Sequence, residues 1–500
     1  MRSLLGRRSL TLTLASCALA FGCTKRASTP KPAVPAAPRP SASSAARAVE
    51  RTPWQYEARF EAGRELAVEA QFTGKNDGYF SLDSDAAPFV GQVEYAQGAN
   101  WTLVPRSSDA WLVPCSGLTG CRVRYRMALR EACQKLADAD TAIAAGEVLI
   151  APPSTWLLHP SLDAKDAKDA KDAEFELHVQ TEPGAQFVTG LHPVAGRKDT
   201  YRARAAVLDD ATYAAFGPLQ VSEVPAGDTT VQLGVAAEGL PLTAAEAQRW
   251  IADSAGALAS FYQGHLPARH ALVLLAKGSG DNTRGLTLGG GGPGVFVRAS
   301  DLVNAKTTRD DWVVTHELIH ANFPDLGREH AWFSEGLATY LEPIARARVG
   351  LIGEGKVWRD MVDGMPKGLP QAGDQGLEIT HTWGRTYWGG ALFCLVADVT
   401  LRERTGNQRS LDDVLLAIGK TGASDEDYWP ISRLLDSAQS ATGTMVLREL
   451  YERLAQKPGT VDLNELFTRL GVHAKGASVV FDDAAPLAAI RHAIAARRPG

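Results

Sequence analysis

His316-Glu317-Leu318-Ile319-His320, with Trp332-Phe333-Ser334-Glu335-Gly336-Leu337-Ala338-Thr339-Tyr340 beginning twelve residues later, is the stretch whose reading decides the fold. Two histidines four apart lie on one face of a helix, so their imidazoles converge and can share a metal ion. Glu317 projects about 100° from His316 and reaches a water beside the metal rather than the metal itself. The spacing predicts a helix over residues 309–323, with Thr308 as N-cap, Asp310 and Asp311 in its first turn and Pro324 to stop it. A third ligand is needed. His330 is one candidate, in a loop before the next helix. Glu335 is the better one, on a second helix over 331–342: its neighbours Trp332, Phe333, Leu337 and Tyr340 are core types, and a carboxylate among them needs a partner. His316, His320 and Glu335 then form a His/His/Glu set with a fourth position open to water. Gly336 lets the helices approach closely, and Thr339, one turn on, is placed to orient a liganding imidazole.

Outward from this core, the period is helical from Thr243. Apolar residues at 247, 250, 251, 254, 258 and 261 predict one long amphipathic helix over 244–262. Residues 271–276 and 295–297 read as strands around Gly289-Gly290-Gly291-Gly292, and another helix is expected over 384–405. Upstream, short alternating runs separated by Gly, Pro, Asn and Asp read as β-structure. The expected order is a β-rich N-terminal domain (54–235), an α+β domain holding the histidines (240–405) and an all-α C-terminal region (406–500). Residues 163–173 repeat Asp-Ala-Lys and read as a solvated loop or helical face.

The 500 residues are 45% hydrophobic and 22% charged, with a formal net charge of -5. A mildly acidic chain without a basic stripe argues against a nucleic-acid partner. No apolar stretch reaches the roughly 18–20 residues of a spanning helix. Arg2, Arg7 and Arg8 followed by a short apolar run form an export signal over 1–22. It ends in Leu19-Ala20-Phe21-Gly22-Cys23, which resembles a bacterial lipobox with Cys23 as the lipidated residue; the alternative is a plain secretory signal. Residues 23–53, rich in Pro, Ala and Ser, read as an extended tether. The expected place is the bacterial cell envelope, exported and lipid-anchored through Cys23 on the periplasmic or outer-membrane face. In that oxidising setting Cys115 and Cys121 can close the loop between them, or Cys133 can pair with either; Cys394, in an apolar helical run, reads as a buried thiol.

The two motifs together resemble the gluzincin zinc metallopeptidases of the MA clan, most closely the glycyl-aminopeptidase family and more distantly the aminopeptidase N family. The resemblance extends to Arg385-Thr386-Tyr387-Trp388-Gly389-Gly390-Ala391-Leu392-Phe393, to Leu401-Arg402-Glu403-Arg404-Thr405-Gly406 and to Ser410-Leu411-Asp412-Asp413-Val414-Leu415. It covers residues 285–420 strongly and the N-terminal half faintly. It implies a thermolysin-like fold for the middle domain, zinc held by His316, His320 and Glu335, Glu317 as general base, Tyr387 as the residue that stabilises the transition state, and a peptide or protein as substrate. The sequence departs from these families in two respects, one being a spacing of 15 from His320 to Glu335, shorter than in aminopeptidase N. The glutamate that holds a substrate's free amine, on a Gly-rich strand upstream of the zinc helix, is absent from Gly289-Gly290-Gly291-Gly292-Pro293-Gly294. The glycine run reads either as an edge offered to an extended peptide or as a hairpin tip. Aminopeptidase and endopeptidase both stay open. A rival reading is a non-catalytic envelope lipoprotein whose zinc only braces two helices.

Overall fold

The computed structural model describes residues 53–61, 63–74, 76–115, 120–161 and 173–496. The signal, Cys23, nearly all of the tether and all but the last residue of the Asp-Ala-Lys repeat lie outside the described residues. In the N-terminal part, strict alternation makes half-buried strands. Trp54, Tyr56, Ala58 and Phe60 point into the core from Trp54–Glu61 while the residues between them face outward. An eight-stranded sheet has Glu174–Thr181, Trp54–Glu61, Glu65–Thr73 and Gly120–Met127 as its consecutive central strands. Cys115 and Cys121 form a disulfide, and Cys133 and Cys394 are buried thiols.

The site is carried by a second, five-stranded sheet: β1 (Gln220–Ala226), β2 (Thr229–Ala236), β3 (Ala271–Lys277), β4 (Arg284–Leu288) and β5 (Gly294–Ala299), in the order β1-β2-β3-β5-β4. The sequence reading placed residues 220–235 in the β-rich domain, but β2 pairs in parallel with β3, from Val231 opposite Ala271 to Ala236 opposite Ala276. The boundary therefore shifts upstream. Composition hides it because the strands on either side look alike. Helix α1 (Ala244–Phe261), closed by a Thr243/Glu246 capping box, makes the β2–β3 crossover. The continuous apolar run of β3 is explained by burial on both faces. Val273 and Leu275 join the helical core, while Leu272 and Leu274 pack with Val148, Ile150 and Val188 of the N-terminal region. Strand β4 runs antiparallel to β5, and its other edge pairs with no strand among the described residues.

Three helices cover the helical face: α2 (Val313–Ala321), α3 (Ala331–Arg348) and, after a π-helical turn at Gly384–Gly389, α4 (Gly390–Arg404). Helix α2 starts later than the sequence predicts. Thr308 sits in a separate 3₁₀ turn, and Asp311 Oδ1 accepts from Val313 N at 2.9 Å instead. Helix α3 runs past 342 to Arg348, with Glu342 and Arg346 ion-paired on one buried face. Gly336 does permit a close approach, but to α4 rather than α2: a Cβ on Gly336 would lie 2.3 Å from Gly390 Cα, and one on Gly390 would lie 1.9 Å from the Trp332 carbonyl oxygen. The α3–α4 contact is further fixed by buried Asp398, which accepts from Tyr340 Oη at 2.8 Å, Arg402 Nε at 2.9 Å and Leu411 N at 2.9 Å. The C-terminal region is mostly helical but not all-α; Val472–Lys475 and Ser478–Phe481 pair as a hairpin around Gly476, whose φ is +58°. Those short strands were too brief to show a period.

Gly390→Ala therefore pushes a methyl group into a carbonyl that has nowhere to move. It should destabilise the protein by about 1–3 kcal/mol, read as a lower midpoint of chemical unfolding.

Candidate metal centre

Helix α2 places His316 and His320 on one face with ring centroids 4.9 Å apart, and Glu335, one turn into α3, lies against both. Glu335 Oε2 is 3.1 Å from His316 Nε2 and 3.4 Å from His320 Nε2, and one donor atom from each residue falls within 4.8 Å of the others. Bonds of about 2.0–2.1 Å to a tetrahedral ion put donors roughly 3.3 Å apart, so the three atoms already stand at the edges of such a site. His316 is buried, and His320 and Glu335 are half-buried. Burial alone would lower His320, but the Glu335 carboxylate facing it, aided by Glu317 and Asp425, lifts it to about 9. Burial likewise raises Glu335, yet the two imidazoles hold it well below the usual carboxylate range. Two imidazole nitrogens and an ionised carboxylate are the donor set of zinc with one open position.

Glu317 lines the same cavity of about 610 Å³, beside strand β4. Thr287 of β4 donates its hydroxyl to Glu317 Oε2 at 2.7 Å. The strand comes this near because Gly285 has no side chain; a Cβ there would lie 2.4 Å from Glu317 Cγ. Tyr387, on the π-helical turn, stacks on His316 with centroids 6.3 Å apart and planes 19° apart. Burial, then the nearby Glu335 and Glu317 carboxylates, push its hydroxyl above the ordinary value, so it is a proton donor at neutral pH.

Other sequence expectations fare differently. Thr339 and His316 line one cavity, but His316 Nδ1 has no hydrogen-bond partner among the described residues, so the expected Thr339 support of that imidazole is not formed. His330 is held by Glu378, 2.9 Å from its Nδ1, and is no ligand here. Gly289, Gly290, Gly291 and Gly292 do not line the cleft around the histidines. They form the turn between β4 and β5, pressed against the N-terminal region, where a Cβ on Gly290 would lie 1.8 Å from the Asp210 carbonyl oxygen. The strand that lines the cleft is β4 itself. Thr287, Gly285 and Asp425, which also lines the cleft, were missed: none belongs to a spaced motif, and β4 shows only five residues, none of them fully buried.

No family model matches the chain, and no curated protein matches it. Solved structures do. An aminopeptidase N family protein from Idiomarina loihiensis is similar over 84% of this chain and 78% of that one, with a TM-score of 0.62 at 16% identity. The chain shares that fold. An M1 zinc metallopeptidase from Deinococcus radiodurans is more loosely similar, at a TM-score of 0.48 and 16% identity over 82% of this chain and 95% of that one.

His320→Ala removes one of the three donors and leaves the helices in place. After dialysis, zinc measured by plasma mass spectrometry should fall from about one ion per chain to near zero, since each structural ligand contributes to a free energy of roughly 10 kcal/mol or more in such sites.

Proposed function

We propose that the protein is a zinc-dependent peptidase of the gluzincin type, exported to the cell envelope and anchored there by a lipid on Cys23. The observation that carries the reading is the pairing of a tetrahedral donor set with a carboxylate, Glu317, that lines the same cleft and is not itself a ligand. A zinc ion held by His316, His320 and Glu335 would polarise water and the scissile carbonyl as a Lewis acid. Glu317 takes the proton from the attacking water and returns it to the departing amine. Thr287 fixes the carboxylate by donating to Oε2, leaving Oε1 free for the proton. As the carbonyl oxygen gains charge, the protonated Tyr387 hydroxyl donates to it. The edge of β4 that pairs with no strand among the described residues offers backbone groups to an extended peptide; of the two readings open for the glycine run, peptide edge or hairpin tip, the run forms the tip. A site that opens on a cleft also favours hydrolysis over a zinc that only braces helices.

Glu317→Gln should keep its zinc and lose about 10²–10⁴-fold in kcat on a peptide substrate. Thr287→Val should lose about tenfold, the worth of one hydrogen bond to a charged group. Unimpaired cleavage by Glu317→Gln would refute the mechanism. Peptides with free and acetylated N-termini separate the two peptidase classes: an aminopeptidase loses activity on blocking, and an endopeptidase keeps it.

A further inference from the structure

A second cavity, of about 490 Å³, lies beside the cleft and shares Trp312, His316 and Tyr387 with it. The mechanism does not use it. Its walls are aromatic. Trp312 meets the His316 ring edge-on with centroids 5.1 Å apart, and Trp383 stacks beside Tyr387 at 6.0 Å. Trp388 also lines it, and buried Met361 and Pro343 supply further apolar surface. Lys367 Nζ lies 5.9 Å from the Trp383 ring and 5.7 Å from the Trp388 ring, a cation shared between two indole faces.

The arrangement is built rather than incidental. A Cβ on Gly364 would lie 2.1 Å from the outer ring of Trp388, and one on Gly384 would lie 2.3 Å from the Lys367 carbonyl oxygen. Glycine at both positions lets the segment after Asp363 close on the π-helical turn and set the indoles. Most of the charges on the wall are matched within the protein: Glu342 with Arg346, Lys356 with Asp360, and Asp363 with Arg359. Exposed Asp310 and Lys367 also stand on the wall, and the apolar surface left uncovered is aromatic. Trp383 is 61% exposed and Trp312 49% exposed, a large aromatic surface facing solvent beside the metal centre.

We infer that this cavity is the subsite for an aromatic side chain on a residue flanking the scissile bond. Ring faces and edges presented by Trp312, Trp383 and Trp388 suit offset and edge-on packing of a further ring, and a volume of this size holds one side chain with room for its backbone. The shared His316 and Tyr387 place its mouth at the reacting atoms, so its occupant belongs to a residue next to the bond that breaks. The inference rests on the peptidase reading and deepens it by naming the substrate class.

The test measures binding separately from cleavage. Zinc-loaded full-length protein carrying Glu317→Gln is titrated calorimetrically with Ala-Ala-Ala, Phe-Ala-Ala, Ala-Phe-Ala and Ala-Ala-Phe. One phenylalanine peptide should bind about tenfold or more tighter than Ala-Ala-Ala. Adding Trp383→Ala should shrink that ratio to within about threefold, Trp383→Phe should restore most of it, and Ile379→Ala, on an exposed side chain outside the cavity, should leave it intact. Equal binding of the four peptides, or a phenylalanine preference that survives Trp383→Ala, overturns the subsite. The native protein is assayed on the same peptides. Cleavage without an aromatic preference retains the peptidase and removes the subsite; aromatic binding without any cleavage does the reverse.

Discussion

Everything about this site depends on Glu335 standing between two imidazoles. A carboxylate 3.1 Å from His316 and 3.4 Å from His320 is held ionised against its burial, and in turn it raises His320, whose proton a metal ion would displace. The three groups are costly to bury apart and favourable together, which is the electrostatic condition of a metal site whose ligands are already converged. That convergence needs α2 and α3 at a fixed separation. The Gly336–Gly390 contact and the Asp398 hydrogen bonds lock α3 onto α4, and Phe323, just past the end of α2, stacks on Phe333 of α3.

The β-rich region has a mechanical part in the same arrangement. Its residues Gly190, Leu191, Asp210 and Ala211 pack against the glycine turn between β4 and β5 so tightly that side chains there would collide with backbone. His192 reaches Glu426 at 2.9 Å, next to Asp425 of the cleft. Contacts of this kind brace the end of β4, the strand that carries Thr287. A run of four glycines is thus explained by crowding at a turn, and not by a need to offer backbone to a substrate.

The convergence of His316, His320 and Glu335 was legible in the sequence because a helix converts a spacing of four residues into one face, and because Glu335 sits among Trp332, Phe333 and Leu337, whose burial leaves a carboxylate few other partners. Tyr387 was legible only through the resemblance. The long helices were visible in their periodicity, but their ends were not: Asp311 rather than Thr308 supplies the first side-chain contact to α2, a choice made by tertiary packing. Strand β4 escaped for a different reason. Its outer edge pairs with no strand among the described residues and none of its five residues is fully buried, so no alternation marks it, and the glycines beside it drew attention to the turn instead. The support expected from Thr339 is not formed because a residue one helical turn from Glu335 still needs its hydroxyl aimed at the imidazole nitrogen, and His316 Nδ1 has no partner among the described residues.

If His316, His320 and Glu335 hold one zinc ion that makes the cleft hydrolytic, activity must follow the metal. The most direct measurement strips the full-length protein of metal with a chelator and follows peptide hydrolysis while zinc is added back. The stripped protein should cleave nothing, and the rate should rise and level off at about one equivalent of zinc. Cleavage that persists without metal, or zinc that binds at one equivalent without producing hydrolysis, would contradict it.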